Sequence, residues 1–71
     1  MSEQEKIRAF AREMYAQTMQ GYTGELDDWF NYSADVDVNI FQWEGEKPYV
    51  NVYRVVGGNT DTRDLIDDFE V

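Results

Sequence analysis

The stretch DVDVNIFQWEGE, residues 35–46, places Asp35, Asp37, Asn39 and Glu46 at positions 1, 3, 5 and 12 of a twelve-residue window. Those are oxygen-ligand positions of an EF-hand calcium loop. Such a loop needs glycine at position 6 for its sharp turn, and Ile40 stands there. A helix should follow, whereas Lys47, Pro48 and a β-branched run follow. The intervening Val36 and Val38 put Asp35, Asp37 and Asn39 on alternate positions of a strand, spread over about 13 Å of one face. Three side chains so spaced do not converge on one ion, and the two aspartates read as the solvent side of a half-buried strand. No metal site and no other cofactor is expected.

Covalent and acid–base chemistry is equally poorly supplied. The chain has no cysteine and no histidine, which removes the usual nucleophile–base pairs and thiolate or imidazole zinc ligands. Ser2 and Ser33 are the only serines, and Ser2 is placed to cap a helix. Gly57-Gly58 lacks the lysine and the spacing of a phosphate loop. Paired carboxylates can cleave glycosides, but they need a cleft that 71 residues hardly make. The tail DTRDLIDDFEV has no serine ahead of a helix to carry a prosthetic arm. No enzyme and no catalytic residue is expected.

What remains is charge and aromatic surface. The net charge is −9. Residues 1–20 balance Glu3, Glu5 and Glu13 against Lys6, Arg8 and Arg12, so the whole excess lies after residue 20. There Glu25, Asp27, Asp28, Asp35, Asp37, Glu44, Glu46, Asp61, Asp64, Asp67, Asp68 and Glu70 face Lys47, Arg54 and Arg63. Such a surface repels nucleic acid and anionic membrane and draws basic partners. Carboxylates several ångströms apart resemble a row of phosphates, because arginine and lysine pair with both. A solubilising surface or adaptation to high salt is the competing reading. Phe41, Trp43, Tyr49, Tyr53 and Val55 form a second candidate surface, which either packs into the core or stands exposed as an anchor patch with a charged rim.

The elements that must carry these residues begin with a helix. Ser2 and Glu5 make a capping box, and Ile7, Phe10, Ala11, Met14, Tyr15, Thr18 and Met19 recur at helical spacing. Gly21 suits the left-handed residue that ends it. Glu3 with Lys6 and Glu5 with Arg8 can pair along the polar face. YTGELDDWFNYSA follows as one or two helical turns capped by Thr23, an irregular loop, or an extended segment. Residues 34–43 and 48–56 read as strands joined by the turn EGEKP. Pairing Ile40 with Val52 and Val36 with Val56 gathers Val36, Ile40, Val50, Val52 and Val56 on one side, with Arg54 opposite Val38 and Trp43 meeting Tyr49. GGN at 57–59 is a turn. The tail from Thr60 suits a short helix better than a strand with Leu65, Phe69 and Val71 on one side.

The expected fold is α+β in a single domain, 1–71: an N-terminal amphipathic helix on a small antiparallel sheet centred on a β-hairpin, with a short acidic C-terminal helix or strand. A chain so short needs its aromatics, or a partner, for stability. No apolar run approaches the length of a membrane span, and MSEQEKIRAF has no signal-peptide pattern, so a cytoplasmic protein is expected.

With GELDDWF, DVDVN and DLIDDF as its acidic segments, the chain resembles, in size, acidity and whole-chain character, the small phage-encoded inhibitors, which include anti-CRISPR proteins and other nucleic-acid mimics. The resemblance rests on no motif and carries no site residue across. It implies occlusion of a basic nucleic-acid site on a target protein in a bacterial host cell. From the residues themselves, the expected partner-binding set is Asp27, Asp28, Asp35, Asp37, Glu44, Glu46, Asp61, Asp64, Asp67 and Asp68, with Trp43, Tyr49 and Tyr53 as anchors, and the expected partner is a basic nucleic-acid-binding protein. The alternative is a non-catalytic regulatory module that forms a homodimer through the aromatic sheet face.

Overall fold

The computed structural model describes residues 2–22, 24–56 and 59–71, with the backbone alone for Asn59, Thr60 and Asp61. One helix, α1 (Glu3–Thr18), precedes four strands: β1 (Leu26–Ser33), β2 (Val36–Gln42), β3 (Tyr49–Val56) and β4 (Asn59–Glu70). The strands form an antiparallel meander in the order β1-β2-β3-β4. The fold is α+β, with the helix on one face of the sheet.

The helix starts as its sequence dictates. The Ser2 hydroxyl accepts the Glu5 amide at 3.2 Å, satisfying one of the donors that a helix start leaves open. Helical geometry stops at Thr18, with Met19 as the C-cap, and Gly21 supplies a left-handed residue (φ 73°) in the turn beyond it. The apolar stripe lands on the sheet: Ile7 and Ala11 are buried among Val36, Val38, Ile40, Val50, Val52 and Phe69. The Phe10 ring meets Tyr32 edge-on at 5.2 Å. The Tyr15 hydroxyl donates to Gln42 Oε1 at 2.7 Å. Arg8 does not pair with Glu5. It reaches across to β4, where its Nε and Nη2 each donate to one oxygen of Asp67 at 3.0 Å. A bidentate bond in a partly buried place outweighs an exposed pair along the helix.

One open reading is resolved and two expectations are corrected. Of the three readings for the segment after Gly24, the extended one holds: it is the strand β1. Leu26, Phe30 and Tyr32 pack against the core, while Asp27, Trp29 and Asn31 alternate onto the other face. The tail is the strand β4 rather than a helix. As a helix it would have crowded Asp67, Asp68 and Glu70 at the negative end of the dipole; as a strand it pairs with β3 along its length and delivers Phe69 to the core. A bulge at Ile66, between the pairs Val52–Asp67 and Tyr53–Leu65, turns Leu65 away from the face that Phe69 occupies. Finally, the hairpin register lies two residues from the expected one: Val38 faces Val52, Ile40 faces Val50 and Phe41 faces Tyr49. A slip of two keeps every side chain on its face. It moves Arg54 from a place opposite Val38 on the apolar side to one opposite Val36, within 3.5 Å of Asp35 and 3.9 Å of Glu3. The cap read at Thr23 and the turn read at Gly57-Gly58 lie outside the described residues.

No helix among the described residues is long and apolar enough to cross a membrane. None of their His, Cys, Asp and Glu side chains form a group of three or more able to hold a metal ion, and the run read for calcium spacing crosses β2.

Candidate functional site: the uncovered face of the sheet

Both segments available to cover the second sheet face, LDDWF and DLIDDF, are strands of the sheet itself. Among the described residues nothing lies over that face. Trp29, Trp43 and Leu65 are about half exposed, at 49%, 50% and 52%.

The register sorts this face into rungs. One reads Asp27, Phe41, Tyr49, Glu70 from β1 to β4, with two aromatics between two carboxylates. The next reads Trp29, Asn39, Asn51, Asp68, and the third Asn31, Asp37, Tyr53, Leu65. Trp29 and Tyr53 lean together over β2, with ring centroids 5.4 Å apart. Arg63 places its guanidinium 4.7 Å from the Trp29 ring centre and its Nε 3.4 Å from Asp37 Oδ2. Asp37 also accepts from Asn31 Nδ2 at 2.9 Å. Phe41 and Tyr49 form a second aromatic pair at 5.8 Å, and Trp43 extends it at 6.2 Å from Phe41.

Between the two aromatic groups runs a polar strip. Asn39, expected on a solvent face, is buried there because its amide donates to Asp27 Oδ1 at 3.0 Å and to the Asp28 carbonyl at 3.1 Å. The Tyr49 hydroxyl donates to Asp68 Oδ1 at 3.1 Å. That bond, reinforced by desolvation, pushes the phenol above its ordinary pKa. On the helix side, the bond from Arg8 holds the Asp67 carboxyl below the usual carboxylate range.

The acids are therefore split by role. Asp35, Asp37 and Asp67 are engaged with Arg54, Arg63 and Arg8. Asp64 lies opposite Arg54 in the register. Asp28 is an exposed residue of β1, opposite Ile40. The side chain of Asp61 lies outside the described residues. The less compensated acids collect where the β2–β3 connection closes the sheet: Glu44 and Glu46 in the turn, Asp27 beside it on β1, Asp68 and Glu70 at the end of β4. The turn is closed by the Glu46 amide donating to the Trp43 carbonyl at 3.0 Å, with Gly45 at φ 80°. Glu46, Lys47, Phe41, Tyr49 and Glu70 line a shallow hollow of about 470 Å³.

Of the anchors read from sequence, Tyr49 and Tyr53 share this face, and Trp43 lies at its end, tilted against Phe41. Trp29, Arg63 and Leu65 join them without having been singled out for it. The alternation of Asp27, Trp29 and Asn31 against Leu26, Phe30 and Tyr32 carried the signal for Trp29, interrupted by Asp28 on the apolar side. No protein-family model matches the chain, and no curated protein or solved structure shows significant similarity to it.

Proposed function

We propose that the protein is an acidic inhibitor that binds a basic, nucleic-acid-handling protein through the uncovered face of its sheet and occludes that protein's nucleic-acid site, in the manner of an anti-CRISPR or other anti-defence protein of a phage. The observation that carries the reading is one face that combines half-exposed tryptophans with carboxylates and, among the described residues, has no covering element. Exposed aromatics ringed by charge are the composition of an interaction surface. The net charge of −9 favours a basic partner and opposes direct contact with DNA or RNA. Basic grooves that hold phosphates also accept carboxylates.

The same face is open to a second copy of the chain, and its apolar content favours that reading. Pairing two copies brings Asp27, Asp68 and Glu70 against their own kind or each other, which is why the basic partner is preferred.

The test is capture on the tagged protein from nuclease-treated bacterial lysate, washed at low and high salt. The expected catch is a nucleic-acid-binding protein, shed at high salt, displaced by its own nucleic acid, and lost with Trp29→Ala or Tyr53→Ala. A catch that nucleic acid does not displace, or that both variants retain, rules out occlusion through this face. A dimer by light scattering that Trp43→Ala dissociates selects the self-associating module instead.

A further inference from the structure

This inference rests on the docking role of the uncovered face and names what its partner brings there. The chain contains aromatic–carboxylate couples that its own arginines fill. Arg8 sits 4.8 Å from the Phe69 ring centre while bonded to Asp67. Arg63 sits 4.7 Å from the Trp29 ring centre with its Nε near Asp37. In both cases a planar guanidinium covers a ring and points its N–H edge at a carboxylate. The arrangement gains from the ring quadrupole and from charge-assisted hydrogen bonds together.

A third couple has the same parts. Phe41 and Tyr49 lie side by side at 5.8 Å, in a rung flanked by Asp27 on one side and Glu70 on the other. Glu46 and Glu70 wall the hollow above them. No arginine lines it, and the cation on its wall is Lys47. We propose that this hollow receives an arginine side chain of the basic protein partner, stacked on Phe41 and Tyr49 and bonded to Glu46 or Glu70. Arginine fits better than lysine because its flat, weakly hydrated guanidinium stacks on a ring while bonding a carboxylate in plane, whereas an ammonium remains a strongly hydrated point charge.

The test titrates the isotope-labelled full chain with hexa-arginine and, separately, hexa-lysine at near-physiological ionic strength, read by amide NMR. Hexa-arginine is expected to shift Phe41, Glu46, Tyr49 and Glu70 first and to bind at least about fivefold tighter than hexa-lysine. Tyr49→Leu, which keeps an apolar side chain on the strand, and Glu70→Gln should each weaken it by about five- to tenfold. Lys47→Ala should tighten it. Equal affinity for the two peptides, with shifts spread over all acidic segments, overturns the inference. So does selective binding of hexa-arginine that shifts only the Trp29–Tyr53 region, although the uncovered face then keeps its docking role. A captured partner lost with Trp29→Ala but unaffected by Tyr49→Leu and Glu70→Gln likewise sinks the arginine site and not the docking surface.

Discussion

Arg63 and Trp29 come from β4 and β1, the opposite edges of the sheet, yet the guanidinium lies 4.7 Å from the indole ring centre. Three strand spacings, about 14 Å, separate the two strands, and Arg63, opposite Val55, also lies two rungs along the sheet from Trp29, whose rung holds Asn51. The contact exists because both side chains are long and, among the described residues, no helix or strand lies over β2 and β3 on this face to keep them apart. Asp37 beneath them fixes the arginine through its Nε at 3.4 Å. The pair thus straps the uncovered face and shields one flank of a half-exposed tryptophan.

Removing the strap should expose the indole more than it weakens the fold. In a Trp43→Phe background, where Trp29 is the sole tryptophan, Arg63→Ala is expected to increase acrylamide quenching of Trp29 fluorescence. The stability cost should be no more than about 1 kcal/mol, as for a surface cation–π contact with a screened ion pair. Quenching that does not change would show that Arg63 does not cover Trp29 in solution.

Asp67 ties α1 to β4, and its contribution depends on pH. The bond from Arg8 depresses the carboxyl pKa in the fold. A depressed acid stabilises fully above the ordinary carboxylate pKa of about 4 and loses that stabilisation as pH falls through the depressed value. At neutral pH, Asp67→Asn should cost about 1–2 kcal/mol, since the ion pair is lost from a partly exposed site and only one of the two oxygens that accept from Arg8 is kept. The gap from wild type should narrow as urea midpoints are measured at pH values stepping below about 4. A gap of constant size down to about pH 2 would mean that Asp67 acts by packing rather than by charge.

The core centre is β2. Val36, Val38 and Ile40 are essentially inaccessible, and among the described residues the helix is the element that covers them on this side. Ile40→Val should cost about 0.5–1.5 kcal/mol and Ile40→Ala about 2–5. A domain of this length has about 4–10 kcal/mol in all, so Ile40→Ala should remove a large share of the stability. Urea denaturation followed by circular dichroism checks both. A cost below about 0.5 kcal/mol for the alanine variant would contradict the burial of Ile40.

The helix and the central hairpin were legible because each carries one clear signal. Ser2 and Glu5 announce the helix start, and Val36, Val38, Val50 and Val52 alternate cleanly. The edge strands were harder for physical reasons. In β1, Asp28 falls on the apolar side and breaks the alternation that Leu26, Phe30 and Tyr32 otherwise keep. The β1–β2 turn runs through Ala34 and Asp35 with no glycine and no positive φ. A register shift between Asn31 and Ser33 takes up the difference, so the usual hairpin-turn residues are missing. In β4, the bulge at Ile66 changes the period midway. Leu65, Ile66 and Phe69 then mimic helical spacing while Leu65 and Phe69 serve opposite faces. The pairing of Arg63 with Trp29 links residues far apart in sequence and follows only once four strands are in order.

The end of the sheet that holds Glu44, Glu46, Asp68 and Glu70 should be electrostatically strained, and relieving it should stabilise the fold. Glu46 and Glu70 share the hollow's wall with Lys47, Glu44 belongs to the same turn, and Asp68 stands two residues before Glu70 on the same strand face. Like charges so placed repel, and salt screens the repulsion when they are exposed. Glu70→Lys replaces a carboxylate on the Phe41–Tyr49 rung with a cation that the remaining acids attract. It should raise stability by about 0.5–1 kcal/mol at low ionic strength. The gain should mostly vanish near molar salt, where the screening length falls to about 3 Å. Wild type, by contrast, should gain modestly from salt while staying folded without it. A chain that unfolds at low salt and recovers only at molar salt would instead mark its acidity as adaptation to a saline environment. A Glu70→Lys variant that is less stable than wild type at low salt would show that Glu70 is held by an attraction stronger than this repulsion. The same substitution should abolish hexa-arginine binding at the hollow, so one variant separates what the acids cost the fold from what they offer a partner.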